Sequence, residues 1–158
     1  MAGRRVRGEP KTKRPLDSPE QVAIQSILRT NGQMLNRFSQ LFREYDLTHS
    51  QYNLLRILWS EGQPLSTQEI AHQLVQGKSA MSGILGRLEQ QGLITRRRCT
   101  SDQRIIYVEP TKSAGEVLKR LDVPVSELHQ QLIGHLTRGE LKELVRLLEK
   151  ARVVTEQH

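Results

Sequence analysis

Aromatic residues are scarce in this chain: two Phe, three Tyr and one Trp make up 4% of its 158 residues. Hydrophobic residues as a whole reach only 36%. A monomer therefore has little with which to fill a large core, and a helical protein that completes its core by dimerising fits that balance. The single cysteine excludes an internal disulfide and makes a cytoplasmic location the default expectation. No apolar run approaches the roughly 18 residues that a membrane span requires. The basic N-terminal residues are not followed by an apolar segment, so they do not read as a secretory signal. No group of residues combines a nucleophile, a base and an orienting partner, and an enzyme is not expected. His49, His72, His129, His135 and His158 lack the tight spacing of metal ligands, so neither a metal nor a cofactor is expected. The length suits one compact domain, or a small domain with dimerisation helices attached.

Positive charge is plentiful but unevenly spread. The chain carries 24 basic and 17 acidic side chains, a net charge of +7. Residues 1–17 hold six basic groups (Arg4, Arg5, Arg7, Lys11, Lys13, Arg14) against Glu9 and Asp17. Residues 78–104 hold six more (Lys78, Arg87, Arg96, Arg97, Arg98, Arg104) against Glu89 and Asp102. The rest of the chain is close to neutral, so the surplus sits in a tail and one central segment. A phosphate backbone attracts such patches without regard to sequence; the bland alternative is a solvated basic face with no partner.

The central segment has internal order. Ser66-Thr67-Gln68-Glu69 is a capping box that opens a short helix with Ile70, Ala71 and Leu74 inward. After a turn at Gly77, Met81, Ile84, Leu85 and Leu88 mark one face of a helix from Lys78 to Gln91. Its other face carries Lys78, Ser79, Ser82, Gly83, Gly86, Arg87 and Gln90, small and polar at the start and cationic one turn later. A helix entering a DNA groove needs that arrangement, because bulk would hold its backbone away from the base edges. Two interior glycines each sacrifice about 1 kcal/mol relative to alanine, which points to close approach by something. Gly92 caps this helix, and a hairpin follows, with strands at 94–98 and 104–108 and a turn at 99–103. Asp102 is placed to pair with Arg96 across the hairpin and stiffen it, leaving Arg104 to reach a minor groove; a surface ion pair of little value is the alternative. Helix, tight connection, second helix and basic hairpin are the parts of a winged helix-turn-helix in their proper order.

Flanking segments are helical by the same spacing. Residues 20–45 carry Ile24, Ile27, Leu28, Leu35, Phe38, Leu41, Phe42 and Tyr45, with a kink or break expected at Asn31-Gly32. Thr48-His49-Ser50-Gln51 is a second capping box, opening a helix whose buried face is Tyr52, Leu55, Leu58 and Trp59. Thr111 caps a long segment with Val117, Leu118, Leu121, Val125, Leu128 and Leu132 on one side, and Pro124 inside it predicts a kink or break. Thr137-Arg138-Gly139-Glu140 opens a last helix with Leu141, Leu144, Val145, Leu148 and Ala151 inward. Residues 1–19, rich in proline and basic groups, read as a disordered tail that serves solubility or touches DNA.

From Leu47 to Thr111 the chain resembles the MarR family of bacterial regulators. LTHSQYNLLRIL is similar to that family's helix before the reading head, STQEIAHQL to its first helix-turn-helix helix, and KSAMSGILGRLEQQGLITR to its recognition helix and the strand after it. Arg96, Asp102, Arg104 and Thr111 reproduce the spacing of its wing signature, although Pro110 stands where an aliphatic residue is usual. The resemblance implies a mainly α fold with a small β-hairpin, a winged helix-turn-helix with flanking dimerisation helices. It places a dimerisation helix at 20–46, the DNA-binding domain at 47–110 and further dimerisation helices at 111–158. It also implies a homodimer with two reading heads and a small-molecule effector, since the family responds to aromatic acids, oxidants or metals. Cys99, beside the wing, does not match the position of redox-sensing thiols on the first helix, and a buried or idle role is expected.

The expected function is a dimeric, sequence-specific transcriptional regulator, a repressor relieved by ligand, on a pseudo-palindromic double-stranded operator. The expected DNA-binding residues are Ser66, Thr67, Gln68, Lys78, Ser79, Ser82, Arg87, Arg96, Arg98, Asp102 and Arg104. A nonspecific or architectural DNA-binding protein on the same fold is the alternative, and a protein-interaction module a third.

Overall fold

Helix spacing and capping boxes decide most of the architecture. The computed structural model describes residues 18–74 and 78–155, with backbone alone at 78–80 and 154–155. The turn expected at Gly77 and the tail up to residue 17 lie outside the described residues. The chain divides into two compact units, the first ending at Met34 and the second running from Leu35. In chain order the elements are α1 (Pro19–Arg43), α2 (His49–Glu61), β1 (Leu65–Ser66), α3 (Thr67–Leu74), α4 (Lys78–Gln90), β2 (Ile94–Arg98), β3 (Ile106–Pro110), α5 (Lys112–Ile133) and α6 (Arg138–Thr155).

All three capping boxes form. The Gln51 amide donates to Thr48 Oγ1 at 3.2 Å and the Thr48 amide to Gln51 Oε1 at 2.7 Å. Ser66 and Glu69 exchange the same pair of bonds, as do Thr137 and Glu140. Each box satisfies two backbone donors that a helix start would otherwise leave orphaned. At the other ends, Gly62 (φ 65°) and Gly92 (φ 69°) take the left-handed conformation that releases the chain from α2 and α4.

The second unit's core gathers Phe42, Leu54, Leu55, Leu58, Ile70, Leu88, Ile94, Val108, Leu118 and Leu121, all essentially inaccessible to solvent. Phe42 stacks on Tyr52 with ring centroids 4.3 Å apart. The three strands form an antiparallel sheet in the order β1-β3-β2, with Leu65 opposite Val108 and Arg96 opposite the same Val108 from the other side.

Several expectations are corrected. Neither Asn31-Gly32 nor Pro124 breaks its helix; α1 runs unbroken through Asn31 and Gly32, since one glycine costs only about 1 kcal/mol in a long helix. Helix α5 continues through Pro124. The proline forfeits one backbone bond, while buried Leu121, Val125 and Leu128 hold the flanking turns in place. Trp59 is 45% exposed rather than buried, although one side of its ring lies against Gly115 of α5, where an added Cβ would stand 2.2 Å from the indole. Leu54 and Gln51 occupy the buried side of α2 instead. On α6, Leu144, Val145 and Leu148, expected inward, are exposed in the single chain.

The return strand begins two residues later than expected, at Ile106. Asp102 Oδ1 accepts from the Arg104 amide at 2.9 Å, and Asp102 O accepts from the Ile105 amide at 3.0 Å. Side chain and carbonyl of one aspartate thus draw Arg104 and Ile105 into the turn. β1 was not anticipated at all; two residues are too few to show a period.

Candidate nucleic-acid interface

The candidate site residues lie on α3, α4 and the hairpin. Met81, Leu85 and Leu88 anchor α4 to the core, which fixes Ser82, Gly83 and Arg87 on the outward side, where all three are exposed. A Cβ built on Gly83 or Gly86 would meet nothing within 4 Å. No packing within the described protein therefore demands glycine at either place. Between α3, α4 and the hairpin lies a shallow cleft of about 300 Å³, bordered by Thr67, Gln68, Ser82, Arg96 and Ile106. Gln68 is exposed and Thr67 half-buried, whereas the Ser66 hydroxyl is engaged as the cap of Glu69. Lys78 and Ser79 lie in the first turn of α4; their side chains are outside the described residues.

The wing arginines fall into two classes. Arg97 donates from Nε to Glu109 Oε1 at 2.8 Å, and its guanidinium sits 5.4 Å from the Tyr107 ring centroid. Arg96 donates from Nε and Nη2 to a single oxygen, Oε2 of Glu89 on α4. Those hydrogen bonds hold the Glu89 carboxyl below its ordinary pKa and raise that of Arg96. By contrast, among the described residues no side chain bonds the guanidinium of Arg87, Arg98 or Arg104, and all three are exposed. Arg96 therefore does not pair with Asp102, as the sequence had suggested. Glu89 is nearer because the Gly92 turn folds β2 back toward the last turn of α4, and the Asp102 carboxylate is occupied by its own turn. Asp102 thus shapes the loop that carries Arg104.

Thr111 ties these parts together. Its hydroxyl donates to Gly92 O at 2.8 Å and accepts from the Ala114 amide at 3.3 Å, while its own amide donates to Leu93 O at 2.9 Å. One residue therefore caps α5 and pins it to the turn between α4 and the wing.

A scan of family models matches residues 47–106 to the MarR family. The HTH-type transcriptional regulator MgrA of Staphylococcus aureus is 31% identical over 118 residues, 73% of this chain and 78% of that protein. The chain belongs to the MarR family of transcriptional regulators. The homoprotocatechuate degradative operon repressor of Escherichia coli is 26% identical over 125 residues, 79% of this chain and 84% of that protein. Among solved structures, the MarR family regulator Sco3205 of Streptomyces coelicolor, in complex with DNA, superposes with a TM-score of 0.80 at 27% identity, covering 94% of this chain and 92% of that one.

The MarR-type wing carries two features that sequence reasoning missed. Glu89 entered only as a negative charge and Glu109 not at all, yet each pairs with a specific arginine. For Glu89 a signal existed: it stands seven residues before Arg96 across a glycine turn. For Glu109 none did, because the shifted register alone brings it opposite Thr95, beside Arg97. Cys99 is neither buried nor without contacts. It is half-buried at the end of β2, with Sγ 3.1 Å from Ser101 Oγ, a hydrogen bond that lowers its pKa. Among the described residues no three His, Cys, Asp or Glu side chains converge as a metal site, and no helix is long and apolar enough to cross a membrane.

Proposed function

We propose that this MarR-family protein acts as a homodimer that recognises a pseudo-palindromic operator in double-stranded DNA and represses transcription until a small-molecule effector releases it. The observation that carries this reading is the exposed surface of α4, with Ser82 and Arg87 outward, beside a hairpin whose Arg98 and Arg104 carry no partner among the described residues. Ser82 and Arg87 would meet base edges or nearby phosphates in the major groove, Arg98 the backbone, and Arg104 the adjoining minor groove. Dimerisation is supported by apolar residues that each unit leaves exposed: Val22, Ile24, Ile27 and Leu28 in the first, Leu144, Val145, Leu147 and Leu148 in the second. A second copy would cover them and set two α4 helices about 10 bp apart on the duplex.

The repressor named among the relatives and the DNA complex among the similar structures support the same reading. Selection from a randomised duplex pool followed by footprinting tests it. A dyad-symmetric site preferred over random DNA by about a thousandfold or more is expected. Equal affinity for selected and random duplexes would favour an architectural role instead, and a protein that sediments as a monomer at working concentration would remove the dimer.

A further inference from the structure

We infer that Arg96 is a positioning residue rather than a DNA contact, and that Glu89 and Arg96 act together as a clamp fixing the angle between helix α4 and the wing. This rests on the reading-head function proposed above and assigns its two arms a shared hinge. Glu89 lies in the last turn of α4 and Arg96 at the centre of β2. Between them run only Gln90 to Thr95, including the left-handed Gly92. Buried Leu93, Ile94 and Val108 and the β1–β3 pairing seat the base of the hairpin, leaving the swing of its distal part about that glycine to be opposed by side chains.

The clamp opposes the swing. Glu89 Oε2 receives both Nε (2.9 Å) and Nη2 of Arg96, so the guanidinium is oriented as well as attracted. The Arg96 side chain is 32% exposed, against 60% for Arg97 in the next position. Its stem lies along the cleft beside Ser82 and Ile106. A guanidinium that spends Nε and one Nη2 hydrogen on a carboxylate has its charge neutralised and only its remaining donors to offer a phosphate, and the paired Glu89 adds a negative charge to a surface proposed to meet a polyanion. A surface that keeps an acidic side chain beside DNA does so for geometry, since electrostatics alone argues against it.

That conflict gives a test of opposite sign. DNA affinity is measured by fluorescence anisotropy over a range of salt concentrations, on a duplex selected by the wild-type protein from a randomised pool. If Arg96 were a phosphate contact and Glu89 a bystander, Glu89→Gln would remove a repulsive charge, free Arg96 and tighten binding. The clamp predicts the reverse: Glu89→Gln weakens binding on the order of fivefold, with an unchanged salt slope, because no phosphate contact is lost. Arg96→Gln should match it in size and in slope. The exchange Glu89→Arg with Arg96→Glu should restore affinity to within about twofold, which a merely structural loss of either side chain would not allow. Thermal melting confirms that each variant is folded. Tighter binding by Glu89→Gln, a salt slope reduced by Arg96→Gln, or no recovery in the exchanged pair would overturn the clamp. Wild-type protein that binds no duplex at all would instead overturn the function on which the clamp depends.

Discussion

The reading head and helix α6 use similar apolar side chains to opposite ends. In the head, Leu54, Leu55, Leu58, Ile70 and Leu88 are sealed within one chain. On α6, an apolar stripe of the same spacing leaves Leu144, Val145, Leu147 and Leu148 in contact with solvent. The head's apolar side chains are thus covered within one chain, with help from Phe42 of α1 and Leu118 and Leu121 of α5, while α6 has an apolar face without cover in the single chain. Burial is worth roughly 25 cal/mol per Å², so the same leucine supports folding in one place and, in the proposed dimer, would support association in the other.

The largest expected effect separates these roles directly. Leu58→Ala should destabilise the fold by about 2–5 kcal/mol, read by chemical denaturation, whatever the protein concentration. Val145→Asp should leave the head's own stability nearly unchanged but abolish assembly in analytical ultracentrifugation. Concentration-independent stability in the wild-type protein, together with a monomeric Val145→Asp that binds DNA normally, would break the contrast.

Smaller effects sharpen it. Gly115→Ala, where the new methyl would strike the Trp59 ring, should cost about 1–3 kcal/mol through overpacking, seen as a lowered midpoint with a shifted Trp59 fluorescence spectrum. Gly86→Ala should do the opposite to stability. Its Cβ enters open space, so the helix gains up to about 1 kcal/mol, while on the proposed function operator affinity falls because the added methyl would stand on the surface proposed to enter the groove. A variant that is both more stable and as tight a binder would show that the glycine serves neither purpose.

The smallest effect concerns acid. Burial lowers the pKa of His49, whose Nδ1 lies 3.3 Å from Asn53 Nδ2. The folded state then binds fewer protons than the unfolded chain at and below about pH 6.5. Stability should be full above that pH and decline as the pH falls through it. His49→Gln should flatten the decline; an unaltered pH profile would show that another group is responsible.

How much of this could be read beforehand varied with the kind of signal. The inward and outward faces of α4 were legible because Met81, Leu85 and Leu88 repeat at the helical period. All three capping boxes were legible because each is a local contract between residues three apart. The wing's register was not, since the Arg104 and Ile105 amides donate to the side chain and carbonyl of Asp102 and the return strand starts two residues later. That shift in turn set Glu109 beside Arg97. The placement of Trp59 was illegible for another reason: its ring packs against Gly115, 56 positions later, and periodicity says nothing about such pairs. On α6 the stripe was visible, but a stripe does not say which chain will cover it.

The division of the wing arginines into paired and unpaired is the claim most open to direct measurement. DNA affinity as a function of salt should be compared for Arg104→Ala and Arg97→Ala. Arg104→Ala is expected to weaken binding and to lower the salt slope by about one for each head engaged, whereas Arg97→Ala, whose charge already faces Glu109, leaves the slope unchanged. Equal slopes for Arg104→Ala and the wild-type protein, or a larger loss from Arg97→Ala, would contradict it.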